Sequence, residues 1–353
     1  MHVTRRGQSV LVAGGGGFIG GHLADALSKE GFTVRAVDIK PLDQWYQIPE
    51  GVEPCRLDLS KLDDCREAVR GIDTVYNLAA DMGGIAFIKS HKAECMLSVL
   101  INTHLLLAAR DADVRRYFFA SSACVYNVDR QAVADVTPLK ESDAYPAMAE
   151  DGYGWEKLFS ERMCRHFTEE FGLETRVARF HNIYGPHGSY DDGREKAPAA
   201  LCRKIAKAVL TGEHEIEIWG DGEQTRSFLY VDDCVEAMKL VVAGDNSSPV
   251  NVGSVERVSI NEMVSIIERI AGITVRRHYR SDAPLGVRGR NSDNAMVKQL
   301  YNWEPRLALA DGLERTYEWI FDQLSLGAAA RSTCSVLSTR LNEPAAVMHR
   351  RVG

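Results

Sequence analysis

The chain has 353 residues, 45% of them hydrophobic and 26% charged, the balance of a folded globular enzyme with room for two lobes. A net charge of −7 argues against nucleic acid or an anionic membrane surface as the main partner, and leaves room for a small anionic ligand held by a local cluster. Eight cysteines spread between Cys55 and Cys334 with no C-x-x-C pair argue against a zinc site or a disulfide framework, so no metal is expected.

The N-terminal apolar run is too short for a secretory h-region, and no apolar stretch of membrane-spanning length stands out. A soluble, cytoplasmic enzyme is the expectation. Apolar strand-like runs occur at SVLVAG (9–14), TVRAVD (33–38), TVYNLAA (74–80), RRYFFASS (115–122) and TRVARF (175–180). Helical patterns lie between them, at GGHLADALSKEG (20–31) and MLSVLINTHLLLAARDA (96–112). Strands separated by helices predict an α/β fold with a doubly wound parallel sheet of the Rossmann type, and continuous apolar strands predict burial on both faces.

Beyond residue 181 the alternation weakens into Gly-, Pro- and charge-rich loops with helices such as APAALCRKIAKAVL (197–210) between them. Residues 1–180 are therefore read as a dinucleotide-binding domain. Residues 181–325 are read as a smaller, interleaved substrate-binding lobe, and 326–353 as a tail without sustained periodicity.

Gly14-x-x-Gly17-Phe18-Ile19-Gly20 follows the first strand and opens a helix. Glycines there permit a tight turn and bring backbone N–H groups to a pyrophosphate at the helix N-terminus. Asp38 ends the second strand about 20 residues on, placed to accept from a ribose 2′-OH and to repel a 2′-phosphate, which favours NAD over NADP. Asp58 and Leu59, after the third strand, are placed to flank the adenine.

Tyr153 and Lys157 stand four apart, on one face of a helix with Asp151 as its expected N-cap and Gly172 just past its end. A lysine ammonium beside a phenol favours phenolate, so Tyr153 is read as the base that takes a hydroxyl proton while a hydride leaves to a nicotinamide. Ser122, at a strand end, would bond the same hydroxyl. Ser121 is expected to satisfy backbone.

Together with Asn77-Leu78-Ala79-Ala80 and GDGEQTRSF (220–228), these motifs resemble the extended short-chain dehydrogenases/reductases that act on nucleotide sugars. The stretches ADMGG (80–84), SSACVY (121–126), RFHNIYGP (179–186), GREKAPAA (193–200) and VRGRNSDN (287–294) are similar to the branch that epimerises GDP-mannose at C3 and C5. The resemblance covers roughly residues 8–325. It implies tightly held NAD contacted by the glycine turn, Phe18, Ile19, Ala79, Tyr153 and Lys157, and a homodimer.

Family members that dehydrate carry Asp-Glu after the catalytic Ser or Thr, where this chain has Ala123-Cys124. A thiol is titratable, and a C4 ketone acidifies the hydrogens on C3 and C5. The resemblance implies that Cys124 and Lys196 are the acid/base pair. Burial or a nearby cation, Arg194 or the nicotinamide, would lower the Lys196 pKa. Pro198 suits the first turn of the helix that follows.

Arg226, Arg288 and Arg290 are candidates for the diphosphate. Asn182 and Gln224 are candidates for sugar or phosphate oxygens, and Gly83-Gly84 would leave room for the hexose. The alternatives are a UDP-sugar 4-epimerase or decarboxylase of the same fold, and a non-catalytic NAD-sensing protein.

Overall fold

The computed structural model describes residues 7–341, with side chains through 326. The strands β1 (Ser9–Ala13), β2 (Thr33–Asp38), β3 (Val52–Arg56), β4 (Thr74–Asn77), β5 (Arg116–Ser122) and β6 (Glu174–Phe180) join Val250–Val252 in one seven-stranded sheet. Its order is 250–252, β6, β5, β4, β1, β2, β3, and every neighbouring pair is parallel.

Successive side chains of a strand point to opposite faces. Val10 and Val12 of β1 accordingly join one core cluster, and Leu11 and Ala13 join the other. Burial on both faces is why the strand reads as an unbroken apolar run. The strand order reverses between β1 and β4, and the crevice at that switch point is where a doubly wound sheet holds its ligand.

On these faces lie α1 (Phe18–Lys29), α2 (Leu62–Ala68), α3 (Ile85–Ser90), α4 (Lys92–Asp111) and α5 (Asp151–Phe171). By length and composition α4 could cross a bilayer, contrary to the sequence expectation that no stretch could. In the fold it turns Cys95, Asn102, Leu105, Leu106 and Ala109 inward and packs along α5. Helix α5 ends on Gly172 in the left-handed conformation (φ 73°), as its sequence predicts. Its N-cap is Glu150 rather than Asp151, and the Asp151 carboxylate pairs with Lys92, 2.7 Å away.

The second lobe contains α6 (Ala197–Thr211), the helix Ile260–Ala271, the parallel pair Glu215–Trp219 and Arg276–Arg280, and a three-stranded sheet of Arg257–Ser259, Thr225–Ser227 and Gly289–Arg290. The helix Ile260–Ala271 starts on a reciprocal cap in which the Ser259 hydroxyl accepts from Glu262 N (3.1 Å) and the Glu262 carboxylate accepts from Ser259 N (2.7 Å). The strand Val250–Val252 returns to the large sheet beside β6, so the two parts interleave. The last helix runs Leu309–Leu341, past the position where the sequence shows no sustained element. Beyond Leu326 the sequence carries no sustained periodicity, so a periodicity reading does not extend the helix there. Residues 342–353 lie outside the described residues.

Candidate active site

Between β1 and α1 the chain turns back on itself. Gly14 N and Gly15 N both donate to Val37 O (2.8 and 3.0 Å), and Gly17 N donates to Gly14 O (3.0 Å). A Cβ on Gly20 would stand 2.1 Å from Gly14 O, so the first turn of α1 approaches the loop as only glycine permits. No side chain caps α1, which leaves its first N–H groups for an anion.

A cavity of about 970 Å³ opens from this turn, and Gly14, Gly17, Phe18, Ile19 and Gly20 line it. Asp38 borders it at the end of β2, buried, accepting from Lys40 N (3.1 Å). Asp58, Leu59 and Ala79 border it further along. Asp58 is held below the usual carboxylate range, chiefly by the Ser60 hydroxyl at 2.6 Å. A glycine cradle, an uncapped helix start and a carboxylate after β2 on one cavity fit NAD.

Ser122, Tyr153 and Lys157 line the same cavity from β5 and α5. Lys157 is buried, its Nζ 5.6 Å from the Tyr153 ring centre, 4.7 Å from that of Phe119 and 3.5 Å from Glu156 Oε2. The predicted lowering of the Tyr153 pKa does not occur in the protein alone. Burial drives that phenol well above its usual range, the charges of Cys124 and Glu156 add to the rise, and hydrogen bonding to Ser122 only partly opposes it. Ser121 does not serve backbone: its hydroxyl donates to Glu161, which pairs with Arg179 at 2.7 Å.

Cys124 lies two residues after Ser122, in the single turn that Ser122 caps, and the Ser122 hydroxyl accepts from Cys124 N at 3.2 Å. The thiol packs beside Phe87, Ile88 and Tyr153. Burial pushes it up and the Glu150 carboxylate adds to that, while Arg290 and Ser122 pull it down. Arg290 Nη1 stands 3.6 Å from the sulfur.

Lys196, the residue preceding α6, lines the cavity, and burial lowers its pKa. The neighbouring cation is Arg290 and not Arg194, because Arg194 bonds Asp81 (2.6 Å) and stacks on Phe87. Gly83 lines the cavity, and Gly84 beside it meets the 194–196 loop. Gly84 N donates to Arg194 O (2.8 Å), and a Cβ there would meet Glu195 O at 2.4 Å. That contact seats the loop carrying Lys196.

Several substrate candidates are engaged by protein groups. Arg288 makes a two-pronged pair with Asp221 (2.8 and 2.9 Å). Arg226 donates to the carbonyls of Thr225 and Val287 (2.7 and 2.6 Å), and burial lowers its pKa to about 10. Arg290 is held by Glu150 (2.7 Å) and Gln131 (2.6 Å). The Asn182 and Gln224 amides donate to Ser227 O and Trp219 O, each at 2.9 Å, leaving Gln224 Oε1 buried without a partner. Sequence reasoning missed Glu150 and Gln131, because both contact Arg290, which is remote from them in the chain.

Residues 10–253 match the family described as the NAD dependent epimerase/dehydratase family. The chain is 46% identical over 316 residues to "GDP-mannose 3,5-epimerase 1" of Oryza sativa subsp. japonica, covering 89% of this chain and 82% of that protein. It is 42% identical to "GDP-mannose 3,5-epimerase" of Arabidopsis thaliana, covering 93% and 86%. The solved structure of MoeE5 in complex with UDP-glucose and NAD superposes with a TM-score of 0.76 at 31% identity, covering 90% and 99%.

Proposed function

The chain belongs to the NAD-dependent epimerase/dehydratase family, and from that premise we propose that it inverts C3 and C5 of GDP-D-mannose. The product is GDP-L-galactose, with GDP-L-gulose where C5 alone inverts. The observation that carries this reading is a titratable thiol, Cys124, two residues after the cavity-lining Ser122, packed against the cluster that holds Tyr153 and in contact with Arg290.

Oxidised NAD, the cofactor of this family, would be held by the Gly14–Gly20 turn, Asp38, Tyr153 and Lys157, and would supply the hydride acceptor for C4 and a positive charge favouring phenolate. Tyr153 Oη takes the C4 hydroxyl proton, and the Ser122 hydroxyl orients that oxygen. The Lys157 ammonium adds positive charge beneath the Tyr153 ring. The C4 ketone makes the C3 and C5 hydrogens acidic. Cys124 and Lys196 then remove and return those protons, before Tyr153 gives its proton back as the ketone is reduced. Lowering of Lys196 by burial supports this role, since a neutral amine accepts a proton.

The reading extends to a homodimer. Met96, Leu97 and Leu100 on α4 and Trp155 and Phe159 on α5 are exposed on adjoining helices, an apolar face suited to a second copy. Light scattering of wild type and Phe159→Glu tests it, with a dimer and a monomer expected. The chemistry needs a free thiol, so the reading also includes a reducing compartment such as the cytoplasm.

The deciding experiment incubates the protein with GDP-mannose in D₂O and follows the sugar by NMR. Deuterium at C3 and C5 is expected. Deuterium at neither carbon with C4 inverted would instead identify a 4-epimerase.

A further inference from the structure

Behind Cys124 lies a closed charge cluster that the proton transfers do not themselves use. Arg290 is buried and makes three directed contacts: Nε to Gln131 Oε1 (2.6 Å), Nη2 to Glu150 Oε2 (2.7 Å) and Nη1 to Cys124 Sγ (3.6 Å). Glu150 is buried as well, and its backbone N donates to Cys124 O at 2.9 Å. The residue preceding α5 is thus tied to the thiol residue twice, once through backbone and once through the guanidinium.

We propose that Glu150 is a positioning residue for Cys124: its carboxylate fixes Arg290 against the sulfur and cancels that cation's charge, so that the resting site holds a neutral thiol rather than a thiolate. The proposal rests on the epimerase reading and deepens it, because it puts the first transferable proton on sulfur and leaves Lys196 as the acceptor.

The polar and charged groups facing Cys124 come from both lobes, while Phe87 and Ile88 of α3 and the Cys95 thiol of α4 belong to the apolar cluster it packs against. Ser122 lies at the end of β5, Glu150 and Tyr153 at the start of α5, Lys196 ahead of α6, Arg226 on the strand Thr225–Ser227 and Arg290 on Gly289–Arg290. Of these, Glu150 is the carboxylate that acts on the thiol. Burial opposes its charge, but Arg290, Arg226 and the Cys124 thiol outweigh burial and hold it ionised. Without that carboxylate, Arg290 would face the sulfur as an uncompensated cation and favour the thiolate.

The test is the alkylation rate of Cys124 by iodoacetamide at pH 7.5 in the NAD-loaded protein. The rate is read on the Cys124 peptide by mass spectrometry, since Cys55 is also partly exposed. Only thiolate reacts, so the rate follows the thiolate fraction. Glu150→Gln keeps the size and still offers Arg290 an amide oxygen. It should react at least about tenfold faster than wild type, the effect of one unit in thiol pKa.

Arg290→Gln should react at least about tenfold slower. The double variant Glu150→Gln/Arg290→Gln should return to within about threefold of wild type, because both charges are gone. A purely structural role would speed alkylation in every variant by opening the site. Glu150→Gln reacting at or below the wild-type rate would overturn the proposal. If Glu150→Gln does not fold, a double variant as slow as Arg290→Gln overturns it equally. No sugar enters the assay, so failure here leaves the C3/C5 exchange result standing, and failure of that exchange leaves this one standing.

Discussion

At the dinucleotide end of the cavity, Gly14, Gly17, Gly20 and Asp38 all come from one strand–helix–strand unit spanning residues 9–38. At the proton-transfer end, Cys124, Glu150, Lys196, Arg226 and Arg290 come from five separate segments of both lobes. The first end is held by local backbone geometry, in which Gly14, Gly15 and Val37 share two hydrogen bonds within a few residues of the ligand site. The second is held by buried charge and by docking of the 194–196 loop on Gly84. A local site tolerates small movements of the lobes, whereas an assembled one transmits them. Perturbing the lobe seam should therefore damage proton transfer while sparing cofactor binding.

The harshest test is Tyr153→Phe. It removes the group that opens the reaction, so epimerisation and C–H exchange should both fall at least about a thousandfold. Exchange that survived would break the oxidation-first order. Cys124→Ala comes next. Epimerisation of GDP-mannose should fall about 10²- to 10⁴-fold while the protein retains NAD, and wild-type epimerisation would remove Cys124 from the proton step.

A smaller effect separates the two ends directly. Gly84→Ala places a Cβ 2.4 Å from Glu195 O, forcing the loop that carries Lys196 to move. Exchange should drop about tenfold to a hundredfold with NAD content unchanged, since a displacement near 1 Å has roughly that cost. Loss of NAD as well would mean that the two ends are not independent.

The mildest test concerns the seam where Val250–Val252 meets β6. His181, fully buried there and bonded to Asn251 Oδ1 at 3.0 Å, is pushed by burial down to about 3. Its folded pKa lies below the ordinary value near 6.5, so the unfolded chain binds a proton that the fold refuses, and stability falls as pH drops from about 6.5 toward 3. Between pH 7 and 4.5 this costs about 2–3 kcal/mol. Thermal unfolding of His181→Gln should lose that much less over the same interval, and an identical acid limb would refute the assignment.

Much of this molecule is determined by short-range sequence patterns. Continuous apolar runs at 9–13, 33–38 and 116–122 mark strands buried on both faces, and the glycine turn followed by Asp38 marks the dinucleotide crevice. Tyr153 and Lys157 share a helix face by spacing alone, and the thiol after Ser122 is visible as an anomaly in its motif.

Tertiary structure decided which protein group each candidate arginine pairs with. Arg288 is tied to Asp221, and Arg290 is turned onto Cys124 by Glu150, 140 residues away in sequence. It also decided that the Tyr153 phenol is raised rather than lowered, because desolvation depends on what closes over the ring and not on its helical neighbour. Backbone periodicity and turn chemistry act over a few residues and are written in order along the chain. Burial and charge pairing act through space, and they take their values only once distant segments have come together.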